Sequence, residues 1–281
     1  MSTAMAHSAG GASPFHAGER EVQTRAGVRD EAEKRGQRML SADLNARQRT
    51  FFSQLPFLVS AHTDDTGQPW AGLLTGEPGF LSIEEGSNAC RLDWRAARNP
   101  TRVQVQDGSA LGLLGIELAT RRRNRLNGTV LGTGQDSWQI RIDQGYGNCP
   151  KYINERPWPA ALFDRDHALS EQAGITPAAQ ALAQRTDTFF IATASGPGRA
   201  DAATQASAWG ADISHRGGEP GFLQWVDGRL VFEDYPGNNM FNTLGNIARF
   251  PRCGLLMLDF EQGDIVQLAA QAEIVYASEG R

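Results

Sequence analysis

Apolar positions in residues 43–55 recur with helical spacing: Leu44, Phe51 and Phe52 stand among polar neighbours until Pro56 stops the pattern. Beyond it the period changes. Residues 57–62, 69–74, 79–83, 110–117 and 125–131 are short apolar or β-favouring runs divided by Gly, Asp, Asn and Pro, which predicts strands of a small sheet or barrel. Upstream, residues 30–40 are dense in Arg, Glu and Lys and predict a solvated helix, whereas residues 1–29, rich in small and polar types, predict a partly ordered arm. The plan recurs downstream. Thr176 and Pro177 supply a cap and a first-turn proline for a helix, and residues 188–194 a first strand. The expected fold class is mainly β with flanking helices, an α+β architecture.

The hexapeptide GEPGFL stands at residues 76–81 and again at 218–223, an offset of 142. The same offset carries Gly112, Leu113, Leu114, Ile116 and Glu117 onto Gly254, Leu255, Leu256, Leu258 and Asp259, and Leu126 onto Leu268. Such self-similarity predicts two copies of one folding unit. The expected organisation is an N-terminal arm and helix over 1–42, a first copy with its linker over 43–165, and a second copy over 166–281. Within the hexapeptide, Pro78-Gly79 and Pro220-Gly221 fit the two central positions of a type II turn, so the repeat itself reads as a hairpin corner.

The chain has 281 residues, enough for two domains, and its net charge of −5 argues against a general nucleic-acid binder. Arg121, Arg122, Arg123 and Arg125 form a basic run between two strands, read as a solvated hairpin rather than a polyanion site. Cys90, Cys149 and Cys253 lie far apart, which suggests neither a zinc site nor a disulfide framework and fits a reducing cytoplasm. Neither a signal peptide nor an apolar run of membrane-spanning length is visible, so no membrane association is expected. GxGxxG and GxxxxGK motifs are absent, which leaves a nicotinamide or nucleoside-triphosphate site without support.

Chemistry enters where the copies diverge. Ser214, His215, Arg216 and Gly217 stand opposite Gly72, Leu73, Leu74 and Thr75 at the same offset, polar against mostly apolar. After the second hexapeptide come Gly237, Asn238, Asn239, Met240, Phe241, Asn242 and Thr243. Asn242 or Thr243 is placed to cap a short helix ending before Pro251, whose start would present free N–H groups to an anion. Arg216 offers a planar fork for phosphate oxygens, and Ser214, Asn239, Asn242 and Thr243 offer neutral hydrogen bonds.

These residues resemble the pyridoxamine 5′-phosphate oxidase-like FMN-binding split barrels, in a long two-copy branch. The resemblance rests on Ser214 to Gly218, on Pro220, Gly221 and Phe222, on Gly237, Asn238, Asn242, Thr243, Leu244 and Asn246, and on the apolar run 254–259. It extends to Phe15, His16, Ala17, Gly18 and Glu19 and to residues 145–153. It implies a tandem duplicated split β-barrel that binds FMN, with the ribityl phosphate held by Ser214, His215, Arg216, Asn239, Asn242 and Thr243, and an oxidoreductase acting on a small molecule or electron donor. The alternative is a non-catalytic flavin-binding or electron-transfer module served by a reductase partner; a homodimer is also compatible. Lys151, in the segment between the copies, is the first candidate to steady reduced flavin. Cys149 beside it is a candidate reactive thiol, and His215 and His16 are candidates for proton handling. Residues 146–153 read equally as a packed linker with a buried thiol. Trp209 and Trp225 are candidates to stack on the ring.

Overall fold

Residues 13–197 and 210–276 are described by the computed structural model. Three helices lead: α1 (Ala17–Arg25), α2 (Arg29–Met39) and α3 (Ala46–Ser53). The His16 ring accepts from the Gly18 N–H while the Glu19 carboxylate accepts from the His16 N–H, a capping box that opens α1; Asn45 and Gln48 do the same for α3. The arm expected over residues 1–29 therefore contains a packed helix, and its residues 1–12 lie outside the described residues. With so few large apolar side chains, α1 gives no helical period. What holds it is a close crossing: a Cβ on Gly18 would fall 2.2 Å from the Gly245 carbonyl oxygen.

Strands β1 (Phe57–Thr63), β2 (Pro69–Gly76), β3 (Leu81–Ile83), β4 (Ala89–Asp93), β5 (Ala97–Arg98), β6 (Ala110–Glu117), β7 (Arg122–Thr133) and β8 (Ser137–Asn148) follow. They form one antiparallel eight-stranded sheet in the order β3-β4-β8-β7-β6-β1-β2-β5. After α4 (Ala160–Phe163) and α5 (Pro177–Arg185) come β9 (Thr188–Ala194), β10 (Ala211–Gly217), β11 (Gln224–Val226), β12 (Arg229–Val231), α6 (Asn242–Arg249), β13 (Arg252–Leu258) and β14 (Ile265–Gln271). The second half builds a four-stranded antiparallel sheet, β10-β9-β13-β14, and a separate β11-β12 hairpin. Thr176 caps α5 as its sequence predicts. Gly79 and Gly221 have φ of 100° and 91°, and Phe80 and Phe222 donate to the carbonyls of Glu77 and Glu219, so both hexapeptides turn as expected. Residues 146–148 are strand, not linker; Gly145 and Gly147 weaken the strand pattern there.

The halves pair their strands alike. Ala61 faces Ala71 and Gly112, and Leu113 faces Leu126; Ala192 faces Ile213 and Gly254, and Leu255 faces Leu268. Period-two alternation along β6 sends Leu111 and Leu113 into a first-half core and Leu114 and Ile116 into a second core shared with Phe190, Ile213 and Leu256. That shared core joins the halves.

Two glycines let the backbones meet there. A Cβ on Gly112 would lie 2.8 Å from the Ala211 oxygen, and one on Gly254 would lie 2.5 Å from the Pro69 oxygen and 2.8 Å from the Ala71 nitrogen. Because these neighbours are backbone atoms, they yield only if the sheets separate. Gly254→Ala is expected to destabilise the fold by about 1–3 kcal/mol, measured as a lowered urea midpoint; an unchanged midpoint would show that the contact is loose.

Candidate anion site between the halves

Strand β10 enters the junction with Asp212, Ser214 and Arg216 on one face. Facing them, Arg123, Arg125 and Asn127 of β7 share a face, while Leu126 turns to the first-half core. Arg125 anchors the arrangement. Its Nη1 donates to both Asp212 oxygens at 2.7 and 2.9 Å and to the Tyr146 hydroxyl at 2.7 Å, and its Nη2 donates to Ser214 Oγ at 2.6 Å. Tyr146 in turn donates to Asn242 Oδ1 at 3.0 Å, and Thr243 donates to Ser214 Oγ at 2.8 Å. Burial disfavours the Arg125 charge, but Asp212 and Tyr146 more than offset this and hold its pKa above the ordinary value.

The start of α6 completes the wall. Its N-cap is Phe241, in a left-handed conformation with φ of 58° and without a side-chain cap, so the expected capping by Asn242 or Thr243 does not occur. Both side chains are engaged elsewhere, Asn242 with Arg125, Tyr146 and Glu19, Thr243 with Ser214. The first N–H groups of the helix therefore lack intrahelical acceptors and present partial positive charge.

A cavity of about 110 Å³ lies against this wall, lined by Arg123, Arg125, Lys151, Ser214, His215 and Arg216 and by Cys149, Asn239, Asn242 and Thr243. Every sequence-derived candidate from Cys149 to Thr243 in the main site is thus in one place. Arg216 pairs with Asp234 at 3.0 Å, yet its Nε, the Arg125 Nε and the His215 Nε2 are buried without partners. Burial, and then repulsion from Arg125 and Arg216, pushes Arg123 down to about 10. Burial and the neighbouring arginines hold His215 well below its usual range, so its ring is neutral. Since the Arg123 guanidinium must donate to His215 Nδ1 at 3.0 Å, the ring proton sits on Nε2, which is free to donate. Among the described residues no cluster of His, Cys, Asp or Glu could hold a metal ion.

Other candidates fall differently. The Arg121–Arg125 run is a solvated hairpin only at Arg121 and Arg122; Arg123 and Arg125 turn inward because β7 faces the second half there. The Cys149 thiol is exposed at the cavity mouth, not buried, with Arg123 Nε donating to the Cys149 carbonyl. Lys151 lies in a segment that crosses the site, where the Tyr152 carbonyl passes so close to Gly217 that a Cβ there would fall 1.9 Å away. His16 stands outside the cavity, its ring at 2.8 Å from Asn246 Oδ1. Trp225 belongs to β11 and faces a different groove, and Trp209 lies outside the described residues.

The sequence alone assigns no site role to Asp212, Tyr146, Arg123 or Arg125, the two arginines reading as part of a solvated run and Tyr146 as part of a linker. The alternation of Arg123, Arg125 and Asn127 against Leu126 and Val130 is the signal that marks them. At the 142 offset, Ser214 and Arg216 correspond to Gly72 and Leu74, and Arg123 and Arg125 to Ile265 and Gln267. A Cβ on Gly72 would meet Val103 at 2.4 Å and Thr101 at 3.1 Å, so that mirror position is filled with side chains and has no arginine fork.

Glu19 connects α1 to the network through Asn242. Burial pushes its carboxyl up to about 8, against hydrogen bonds from the His16 N–H and Asn242. The folded protein therefore keeps a proton that the unfolded chain releases above its ordinary value, so stability falls as pH rises from about 4.5 to about 8 and levels off beyond. Denaturant midpoints measured across this range should show that decline, and Glu19→Gln should flatten it; an equal decline in the variant would assign it to another group.

Comparison with protein-family models, with curated proteins and with solved structures returned no match.

Proposed function

We propose that the chain is a tandem split β-barrel flavoprotein that seats the phosphate of FMN at the start of α6, and that it acts as an oxidoreductase. The observation that carries this reading is the convergence of Arg123, Arg216 and Lys151, uncapped helical N–H groups and unpartnered donors on Arg125, Arg216 and His215 around one cavity. Cations repelling one another in a buried site are stabilised by a multivalent anion. Planar forks suit phosphate oxygens, and an N-terminal helix turn adds its own N–H groups.

The fit is to the phosphate end. A space of about 110 Å³ is below the ~300 Å³ of a small-molecule pocket, so a flavin ring would leave through the mouth between Cys149, Tyr152 and Tyr235. Matching strand registers and the 142 offset support a duplication, and the mirror position at Gly72, filled by Val103, Ser60 and Thr101 and without an arginine fork, supports one site per chain, with the first half supplying Arg123 and Arg125 as the opposite wall.

When bound, the flavin supplies hydride acceptance, and the protein binds, orients and tunes it. In this role Arg216 and Arg123 bind phosphate, Arg125 positions Ser214 and Asn242, and the neutral His215 donates from Nε2 rather than acting as a general acid. Lys151 is the cation available to steady negative charge on a reduced ring, and Cys149 is an exposed thiol at the same mouth.

The experiment is reconstitution with FMN followed by removal of the excess and an absorption spectrum. Twin flavin bands at one equivalent per chain are expected. Flavin that remains oxidised with every donor supplied would favour a binding or electron-transfer module, and absence of retained flavin would overturn the reading.

A further inference from the structure

Two of the three cysteines are sealed in cores: Cys90 and Cys253 are 2% and 5% exposed, and burial pushes their thiols up to about 12 and about 11. Cys149 is exposed. It is the first residue after β8, and its backbone is tied to β7 where Arg123 Nε donates to its carbonyl at 2.9 Å. Beyond it the chain crosses the cavity mouth to Tyr152, whose backbone is left-handed with φ of 65°. The Tyr152 hydroxyl donates to the Pro236 carbonyl at 3.1 Å and its ring lies against Tyr235, with centroids 5.1 Å apart. Contacts on both sides thus hold the thiol at the rim of the cavity.

The charge around that rim is uneven. Arg216 is paired with Asp234 and Arg125 with Asp212, whereas Arg123 and Lys151, next to Cys149 by hydrogen bond and by sequence, form no ion pair with a described carboxylate. Among the described lining residues Glu233 is the one carboxylate left to offset them. Deeper in the wall His215 and Arg125 are 4% and 6% exposed, and His215 Nε2 and Arg125 Nε have no partner. Donors so buried call for an acceptor that enters from the mouth. A thiol at the rim, cations beside it and unused donors behind it suit a ligand that carries both a disulfide and an acid.

We propose that Cys149 is a modification site for small disulfides bearing carboxylates, and that a carboxylate of the attached group lies among the cavity's cations and donors. Cys149 Sγ attacks one sulfur of the disulfide; a new S–S bond to Cys149 forms, the original S–S bond breaks, and its electron pair leaves on the second thiol, which takes up the proton that Cys149 loses. Cys149 is oxidised and the disulfide is reduced, so no other oxidant is required. The cations draw anionic disulfides to the rim in preference to cationic ones. This selection requires an anion-seeking cavity and not a flavin. A second consequence rests on the proposed flavin function: the attached carboxylate and the FMN phosphate exclude one another, which makes the thiol a redox control on flavin loading.

The test exposes the full chain to oxidised glutathione and, separately, to cystamine, a disulfide carrying amines, and follows adducts by intact mass and peptide mapping. A synthetic peptide with the sequence of residues 145–153, which keeps Cys149 and Lys151 without the folded cavity, sets the reference preference. One adduct per chain, at Cys149, is expected, with a rate ratio of oxidised glutathione to cystamine at least about tenfold higher in the protein than in the peptide. Inorganic phosphate should lower that ratio more than sodium chloride does at equal ionic strength. A ratio equal to that of the peptide, adducts mainly at Cys90 or Cys253, or equal effects of phosphate and chloride would overturn the proposal. In absorption spectra the glutathione adduct should fail to retain FMN until dithiothreitol releases it. An adduct that retains FMN as well as the unmodified chain does would overturn the mutual exclusion, whereas a chain that never retains FMN yet keeps the thiol selectivity would overturn the flavin function alone.

Discussion

Replacing Asp212 with alanine is expected to destabilise the fold by about 3–5 kcal/mol, because it strands the Arg125 guanidinium in a buried site. The two side chains are 7% and 5% exposed, and Asp212 accepts twice from one Arg125 nitrogen. Arg125 would retain Tyr146 and Ser214, which are neutral and leave its charge unmatched. Removing both charges should cost much less, since a well-packed apolar pair avoids the desolvation that the ions incur. Urea denaturation of Asp212→Ala and of Arg125→Met with Asp212→Leu separates the cases. A loss below about 1 kcal/mol in the single variant would mean that solvent reaches the pair.

Arg216→Ala should weaken FMN binding by about 1.5–3 kcal/mol, the value of a charge-assisted bond to phosphate, or roughly ten- to a hundredfold in Kd. Arg216 combines an unpartnered buried Nε with a position on the cavity wall, and its pairing with Asp234 is to a carboxylate that is itself about one-third exposed and can be displaced. Arg123→Ala should act in the same direction, through the loss of a second cation and of the bond that fixes the His215 tautomer. Arg122, exposed and directed towards Glu117, serves as the internal control. Equal losses at Arg216 and Arg122 would reduce the effect to general surface charge.

Much of this architecture is legible in the residues themselves. Phe51 and Phe52 mark α3, and the runs at 57–62 and 110–117 mark β1 and β6, because strands with a buried face carry their register in their apolar pattern. Helix α1 is not legible, since it is held by the Gly18–Gly245 approach and by the capping box rather than by an apolar stripe. The site divides in the same way. Ser214, Arg216 and Asn242 stand out because their counterparts at the offset are Gly72, Leu74 and Pro100, whereas Thr243 matches Thr101 and is marked only by its place at the start of a short helix. Arg123 and Arg125 do not stand out, because a run of arginines reads as solvated until the strand is assigned a face; only the fold shows that the odd positions of β7 look into the second half. The cap of α6 is misread for a related reason: Asn242 and Thr243 have the right chemistry for capping, but tertiary partners claim their side chains and leave the helix start open.

The proposed phosphate seat, one per chain, lies at the junction of β7, β10 and α6. Parallel equilibrium titrations of the full chain with FMN and with riboflavin, which differ only by the phosphate, test it most directly. Saturation at one FMN per chain, with riboflavin bound at least tenfold more weakly, is expected. Equal affinity for the two flavins, or two FMN per chain, would contradict it.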